Sequence, residues 1–180
     1  MIMLDYFSVK GVIMKKRITR FILILCLLSL TACGKKAPQK TSNFETKINN
    51  FTQKLLDMGL YIDSIDTSVE GYEQNLLDYM DELLITFNNL KSFEEPEDYV
   101  YYDDIVNAAC FFMDKANGYF HKALDGTFSL NYYEAAIRFY EEAFENIHYI
   151  GYMIDGYDVS EVVHSLDELE QQYNDNSVIE

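Results

Sequence analysis

The chain has 180 residues, 30 of them acidic against 14 basic, and a formal net charge of −16. That balance excludes a nucleic-acid partner, because a phosphate backbone would be repelled. The sequence holds no Gly-rich phosphate loop, no Cys/His zinc spacing and no serine nucleophile elbow, so a non-enzymatic role is expected.

In chain order, the first feature is a basic cluster, Lys15, Lys16, Arg17 and Arg20, followed by an apolar run from Phe21 to Leu30 broken only by Ser29. A charged start, a short apolar stretch and small residues after it describe a secretory signal over residues 1–32. The run is too short to span a bilayer, which takes about 20 apolar residues. Asp5, Tyr6 and Phe7 sit ahead of the charges and fit a signal poorly, so Met14 is the expected start.

The segment closes on Leu30-Thr31-Ala32-Cys33. These four residues resemble the lipobox of bacterial lipoproteins: Leu30 at the apolar position, Thr31 and Ala32 at the small positions, Cys33 as acceptor. The resemblance implies a diacylglycerol group on the Cys33 thiol and cleavage just before it. It implies a protein held on the outer face of the cytoplasmic membrane, in a Gram-positive cell, with no other cofactor. The released fragment, ending Leu28-Ser29-Leu30-Thr31-Ala32, is a further candidate for a short peptide signal.

Cleavage before Cys33 leaves 148 residues, enough for one domain. It removes five of the 14 basic residues and one of the 30 acidic ones, which takes the formal charge to −20. Residues 33–43, with Pro38 and polar neighbours, are predicted to form a flexible tether reaching roughly 30 Å when extended. Lys35, Lys36 and Lys40 can rest on anionic headgroups at about 1 kcal/mol each. Cys26 leaves with the signal and Cys33 is acylated, so Cys110 is alone and is expected to be a small core residue.

The body, residues 44–174, repeats its apolar residues at alternating steps of four and three. Phe44, Ile48, Phe51, Leu55, Met58, Ile62, Ile65, Val69, Tyr72, Leu76, Tyr79 and Leu83 form one such stripe, which Phe87 and Leu90 continue. The heptad spacing predicts one long, coiled-coil-like first helix over about 44–91, roughly 70 Å in length. Thr67-Ser68-Val69-Glu70 has the form of a capping box, and Gly59 and Gly71 weaken the helix locally, so a break near 66–71 is the alternative.

Pro96, set among acidic residues, stops that helix and starts a second over about 97–125, with Tyr99, Tyr102, Val106, Ala109, Met113, Ala116, Phe120 and Ala123 on its seam. A third is predicted over 130–156, with Tyr133, Ala136, Tyr140, Ala143, Ile147, Ile150 and Ile154. A fourth, over 159–174, carries Val159, Val162, Leu166, Leu169 and Tyr173, and residues 175–180 form a tail. Short loops join antiparallel neighbours. The predicted fold is therefore all-α, an elongated antiparallel three- to four-helix bundle. This pattern resembles the small helical lipoproteins of low-GC Gram-positive bacteria, a resemblance that brings no activity with it.

Two groups of residues are candidates for function. Glu145-Asn146-Ile147-His148 and Glu161-Val162-Val163-His164 both read Glu-x-x-His, a spacing that puts both ligands on one helix face, as in di-iron bundles. The heptad register places Glu145, His148, Glu161, His164 and also His121 on outward positions, which argues against a buried metal site. Tyrosine clusters at Tyr99, Tyr101 and Tyr102 and at Tyr132 and Tyr133 offer stiff, amphipathic contact area for a binding surface. The leading expectation is a lipid-anchored module that binds a protein, peptide or envelope component. Metal binding through the Glu/His pairs is the alternative.

Overall fold

The computed structural model describes residues 43–64, 69–94, 97 and 99–173. The signal, the lipobox residues Leu30, Thr31 and Ala32, the acceptor Cys33, most of the tether, Ile65 and the tail lie outside the described residues. Five α-helices follow in order: α1 (Asn43–Ser64), α2 (Tyr72–Asn88), α3 (Tyr102–Leu124), α4 (Leu130–Ile154) and α5 (Leu166–Tyr173). A 3-10 turn, Asn89–Ser92, extends α2. No strand occurs among the described residues, and the all-α bundle expected from the heptad spacing is what forms. No helix among them is long and apolar enough to cross a membrane.

Most residues of the stripes predicted from spacing are in the core, whereas Val69 and Val162 are exposed and Tyr99, Ile154, Leu166 and Tyr173 are half-buried. On α1, Phe44, Ile48, Phe51, Leu55 and Met58 are buried; on α2 and its extension Tyr72, Leu76, Tyr79, Leu83, Phe87 and Leu90 are buried. All seven seam residues of α3 from Tyr102 to Ala123 and all six of α4 from Tyr133 to Ile150 are also inside. The alanines at 109, 116, 123, 136 and 143 have no exposed surface. Small side chains there let the backbones of α3 and α4 approach closely, and large neighbours fill the space between.

The contacts fix the directions of the helices. Phe120 meets Tyr133 and Phe112 meets Phe139, with ring centroids 5.6 and 6.3 Å apart, so α3 and α4 run antiparallel. Between α2 and α3, the Tyr102 hydroxyl donates to the Leu90 carbonyl at 3.0 Å and Asn117 Nδ2 donates to Asp81 Oδ1 at 2.9 Å. Late residues of one helix thus meet early residues of the other, and this pair is antiparallel too. α1 packs on α2 through Phe51 and Phe87, 5.8 Å between centroids, and through the Lys54–Glu82 ion pair at 3.7 Å. Its first core residue, Phe44, lies edge-on to Tyr102. The segment preceding α1 therefore enters the bundle at the end where α3 begins.

The long first helix is the expectation that needs correcting. Residues 69–71 form a bend and turn, and α2 starts afresh at Tyr72 behind Gly71, whose φ is +86°. Val69 continues the apolar stripe in sequence but is 55% exposed. A single helix of about 48 residues would carry its far half beyond any partner. Folding back at the turn instead lets the stripe of α2 meet that of α1 and bury both. The hydrophobic phase survives because both arms face the same core. Gly71 is required here by backbone geometry alone, since a Cβ built on it would meet nothing within 4 Å. Gly71→Ala is accordingly expected to destabilise the bundle by about 1–2 kcal/mol, the cost of holding an L side chain in the left-handed region, with Gly71→Asn losing less. Urea unfolding of the variants checks it.

The other boundaries shift by a few residues. α3 opens at Tyr102 rather than near 97, after an extended Phe93 and a turn through Tyr101. The predicted fourth helix shortens to α5, and of the residues before it 160–162 form a turn while 163–165 are irregular. Its start has a local cause. Ser165 N–H donates to Glu168 Oε2 at 2.9 Å, and Glu168 N–H donates back to Ser165 Oγ at 3.4 Å, a reciprocal capping box.

Candidate functional site

The second half of α4 turns Glu142, Glu145, Asn146 and Tyr149 to one side. Their spacing of three, one and three residues puts all four on a single helix face. α3 runs beneath this face and supplies Ala108 and Phe112. α5 lies across α3, its Tyr173 packed edge-on against Phe112 at 5.5 Å and against Phe139 at 5.6 Å. Between α4 and α5 the chain passes through Glu161, Val162 and His164. Together these elements enclose a cleft of about 380 Å³, completed by Leu169, Gln172 and Tyr173.

The chemistry of the cleft is set by unbalanced negative charge on an apolar and aromatic floor. Three carboxylates line it, and among the described residues no lysine or arginine does. Burial, then the neighbouring Glu145 and Glu141, hold the Glu142 carboxyl above the usual range. Tyr149 donates its hydroxyl to Glu145 Oε1 at 2.7 Å, which fixes that carboxylate in place. Burial and the same carboxylate raise the Tyr149 hydroxyl. Asn146 is 93% buried by its 7% residual exposure, and its Nδ2 donates to the Glu142 carbonyl at 2.9 Å.

Of the four metal-ligand candidates, Glu145, Glu161 and His164 line this cleft and His148 does not. No group of three or more His, Cys, Asp or Glu among the described residues is placed to hold a metal ion. His148 also departs from its outward assignment. It is half-buried, and its Nε2 is shut away from solvent with no hydrogen-bond partner among the described residues. Burial holds the His148 imidazole below its ordinary value near 6.5, against a smaller opposing pull from Glu145.

The sign of that shift gives a pH prediction. A group depressed on folding takes up its proton more readily in the unfolded chain. The stability tied to neutral His148 is present above its ordinary value and is lost as pH falls below it. Stability is therefore expected to decline from about pH 7 to about pH 5, with His148→Gln flattening that part of the curve. Urea midpoints of the two proteins across this range measure it.

His121 is half-buried and paired: its Nε2 lies 2.9 Å from Asp81 Oδ1, bridging α3 and α2. That contact and the Asn117 amide hold the Asp81 carboxyl below the usual range. Cys110 is a buried core residue, as expected. Its Sγ donates to the Phe87 carbonyl at 3.4 Å, and burial pushes the thiol up to about 11.

The tyrosine candidates divide. Tyr102 and Tyr133 are core residues with 0% and 2% exposure, Tyr99 and Tyr132 are half-buried, and only Tyr101 is exposed. The two clusters open α3 and α4, which are antiparallel, so they lie at opposite ends of the bundle and form no common surface. The cleft is lined instead by Tyr149, which sequence reasoning passed over, and by Tyr173, which it had placed on the seam of the last helix. The signal that could have found Tyr149 is the one-face spacing Glu142, Glu145, Asn146, Tyr149.

No protein-family model, no curated protein and no solved structure matches this chain.

Proposed function

We propose that the chain is a lipid-anchored module on the outer face of the cytoplasmic membrane that acts by binding rather than by catalysis. The observation that carries the binding part is the cleft between α3, α4 and α5. It is a recess of about 380 Å³ between helices, where bundles take ligands, lined by Ala108, Phe112 and Leu169 together with Glu142, Glu145, Asn146 and Glu161. The anchoring part rests on the sequence: the basic cluster, the short apolar run and Leu30-Thr31-Ala32-Cys33. The expected tether, residues 33–43, would enter at the end of the bundle where Phe44 meets Tyr102, leaving the cleft on the flank of α4 open to the surroundings.

Protease added to intact cells tests the location. The body is expected to be digested without lysis, while a cytoplasmic marker survives. A body protected until the membrane is broken would overturn the reading.

A further inference from the structure

On the flank away from the cleft, α3 faces α2. Ala108 and Phe112 of α3 line the cleft, whereas Asn117 and His121, about half a turn round the helix, meet α2. These two are four residues apart, so both side chains reach one point. Asp81 of α2 stands there. Its Oδ1 lies 2.9 Å from His121 Nε2 and 2.9 Å from Asn117 Nδ2. The His121 contact, and after it the Asn117 amide, hold the Asp81 carboxyl below its usual range, so it is an anion at neutral pH.

The amide supplies a second, independent observation. Asn117 is 7% exposed, and its Oδ1 is shut off from solvent with no hydrogen-bond partner among the described residues. Buried polar atoms are seldom left so, and an unmodelled ion is one of the recognised causes. Turning the amide over about its last bond exchanges Nδ2 and Oδ1. The exchange loses no bond on the inner side, where Oδ1 makes none. It sets an amide oxygen against the Asp81 carboxylate. With the imidazole proton on Nδ1, the His121 Nε2 lone pair meets the same point. Three lone pairs then converge from two helices, which only a cation between them makes favourable.

The spacing suits a small ion. Two donors at about 2.0–2.2 Å from a tetrahedral ion stand roughly 3.3 Å apart. Side-chain rotation of a few tenths of an ångström opens the present contacts that far. The Asp81 and His121 side chains are 50% and 42% exposed, so an ion can enter and water can complete its coordination. An imidazole in the set favours a transition metal over calcium or magnesium, which take oxygen ligands.

We propose that Asp81, Asn117 and His121 form a site for one divalent transition-metal ion of the zinc class, joining α2 to α3. Two of its donors are Asp and His; the third is an amide. The site is separate from the cleft and does not depend on what the cleft binds.

The test is calorimetric titration of the full chain in detergent with zinc chloride at about pH 7.5, since metal affinity follows pH. Accessible thiols are alkylated first, so that none of the three cysteines competes. One saturable site is expected, and zinc should raise the thermal unfolding midpoint. His121→Ala should abolish binding, and Asp81→Asn and Asn117→Leu should each weaken it at least tenfold. Asn117→Asp sets a second carboxylate against Asp81. The ion-free variant should melt earlier than the wild type, and zinc should restore it; a hydrogen-bond role alone predicts the loss without the recovery. His148→Gln should bind zinc as the wild type does. The ring signals of the three histidines in the wild-type nuclear magnetic resonance spectrum give a reading that needs no variant. Those of His121 should shift as zinc is added, and those of His148 and His164 should stay. The proposal is overturned by no saturable site, by shifts at His164 in place of His121, or by wild-type affinity in His121→Ala, Asp81→Asn or Asn117→Leu.

Discussion

Phe87→Ala is expected to destabilise the bundle by about 3–5 kcal/mol, the range for truncating a fully buried aromatic residue. Phe87 has no exposed surface and joins three helices. Its ring stands edge-on to Phe51 of α1 at 5.8 Å and to Phe144 of α4 at 5.3 Å, while it sits on α2 itself. Removing the ring leaves a cavity at the point where α1 is held to the rest, and it ends two aromatic pairs worth about 0.5–1.5 kcal/mol each beyond their buried area. Domains of this size are stable by only about 5–15 kcal/mol, so the loss is a large share of the whole. Ile85, on the same helix and 62% exposed, gives the comparison. Ile85→Ala should change stability by less than about 0.5 kcal/mol. Urea midpoints of the two variants measure the contrast, and similar midpoints would mean that Phe87 is not the keystone described.

The second large effect concerns the proposed anchor. Cys33→Ser is expected to abolish incorporation of labelled fatty acid, an all-or-none outcome in metabolic labelling. A serine hydroxyl in place of the thiol gives the modifying chemistry no acceptor. Each buried methylene contributes about 0.8 kcal/mol to membrane attachment, and two acyl chains hold where one binds reversibly. The acidic body adds nothing to that hold: with a formal charge of −20 after cleavage it is repelled by anionic headgroups, apart from the three tether lysines. Label retained in the Cys33→Ser chain would remove Cys33 from its assigned role.

Much of the bundle was legible because heptad spacing reports burial directly. From Phe44 to Met58, from Tyr102 to Ala123 and from Tyr133 to Ile150, every seam residue named from spacing lies in the core. The end of α4 was legible for a local reason. Gly156 takes a φ of +85°, and the Tyr157 N–H then turns back to the Tyr152 carbonyl at 3.0 Å. The break before Tyr72 was harder, because a hairpin whose arms face one core leaves the apolar phase intact. The exposure of Val69, the backbone of Gly71 and the contact of Phe51 with Phe87 across the two arms separate a fold-back from a continuous helix.

The cleft was legible in part. Glu145, Glu161 and His164 stood out as Glu-x-x-His members, and the structure brings these three to one place. Spacing suggested ligands on a helix face, but Glu161 belongs to a turn and His164 to the irregular stretch before α5, not to a helix. His148 fell outside the cleft for a related reason. A heptad letter describes one seam, and it cannot tell which side of α4 the returning chain will cover.

The claim that the body binds through this cleft is tested most directly by mapping backbone amide shifts of the full chain as a solubilised digest of the cell envelope is added. The account predicts saturable shifts confined to Glu142–Tyr149 of α4, residues 161–164 and α5, with α1 and its turn into α2 unmoved. Shifts that do not saturate, or that spread evenly over the acidic surface, would contradict it.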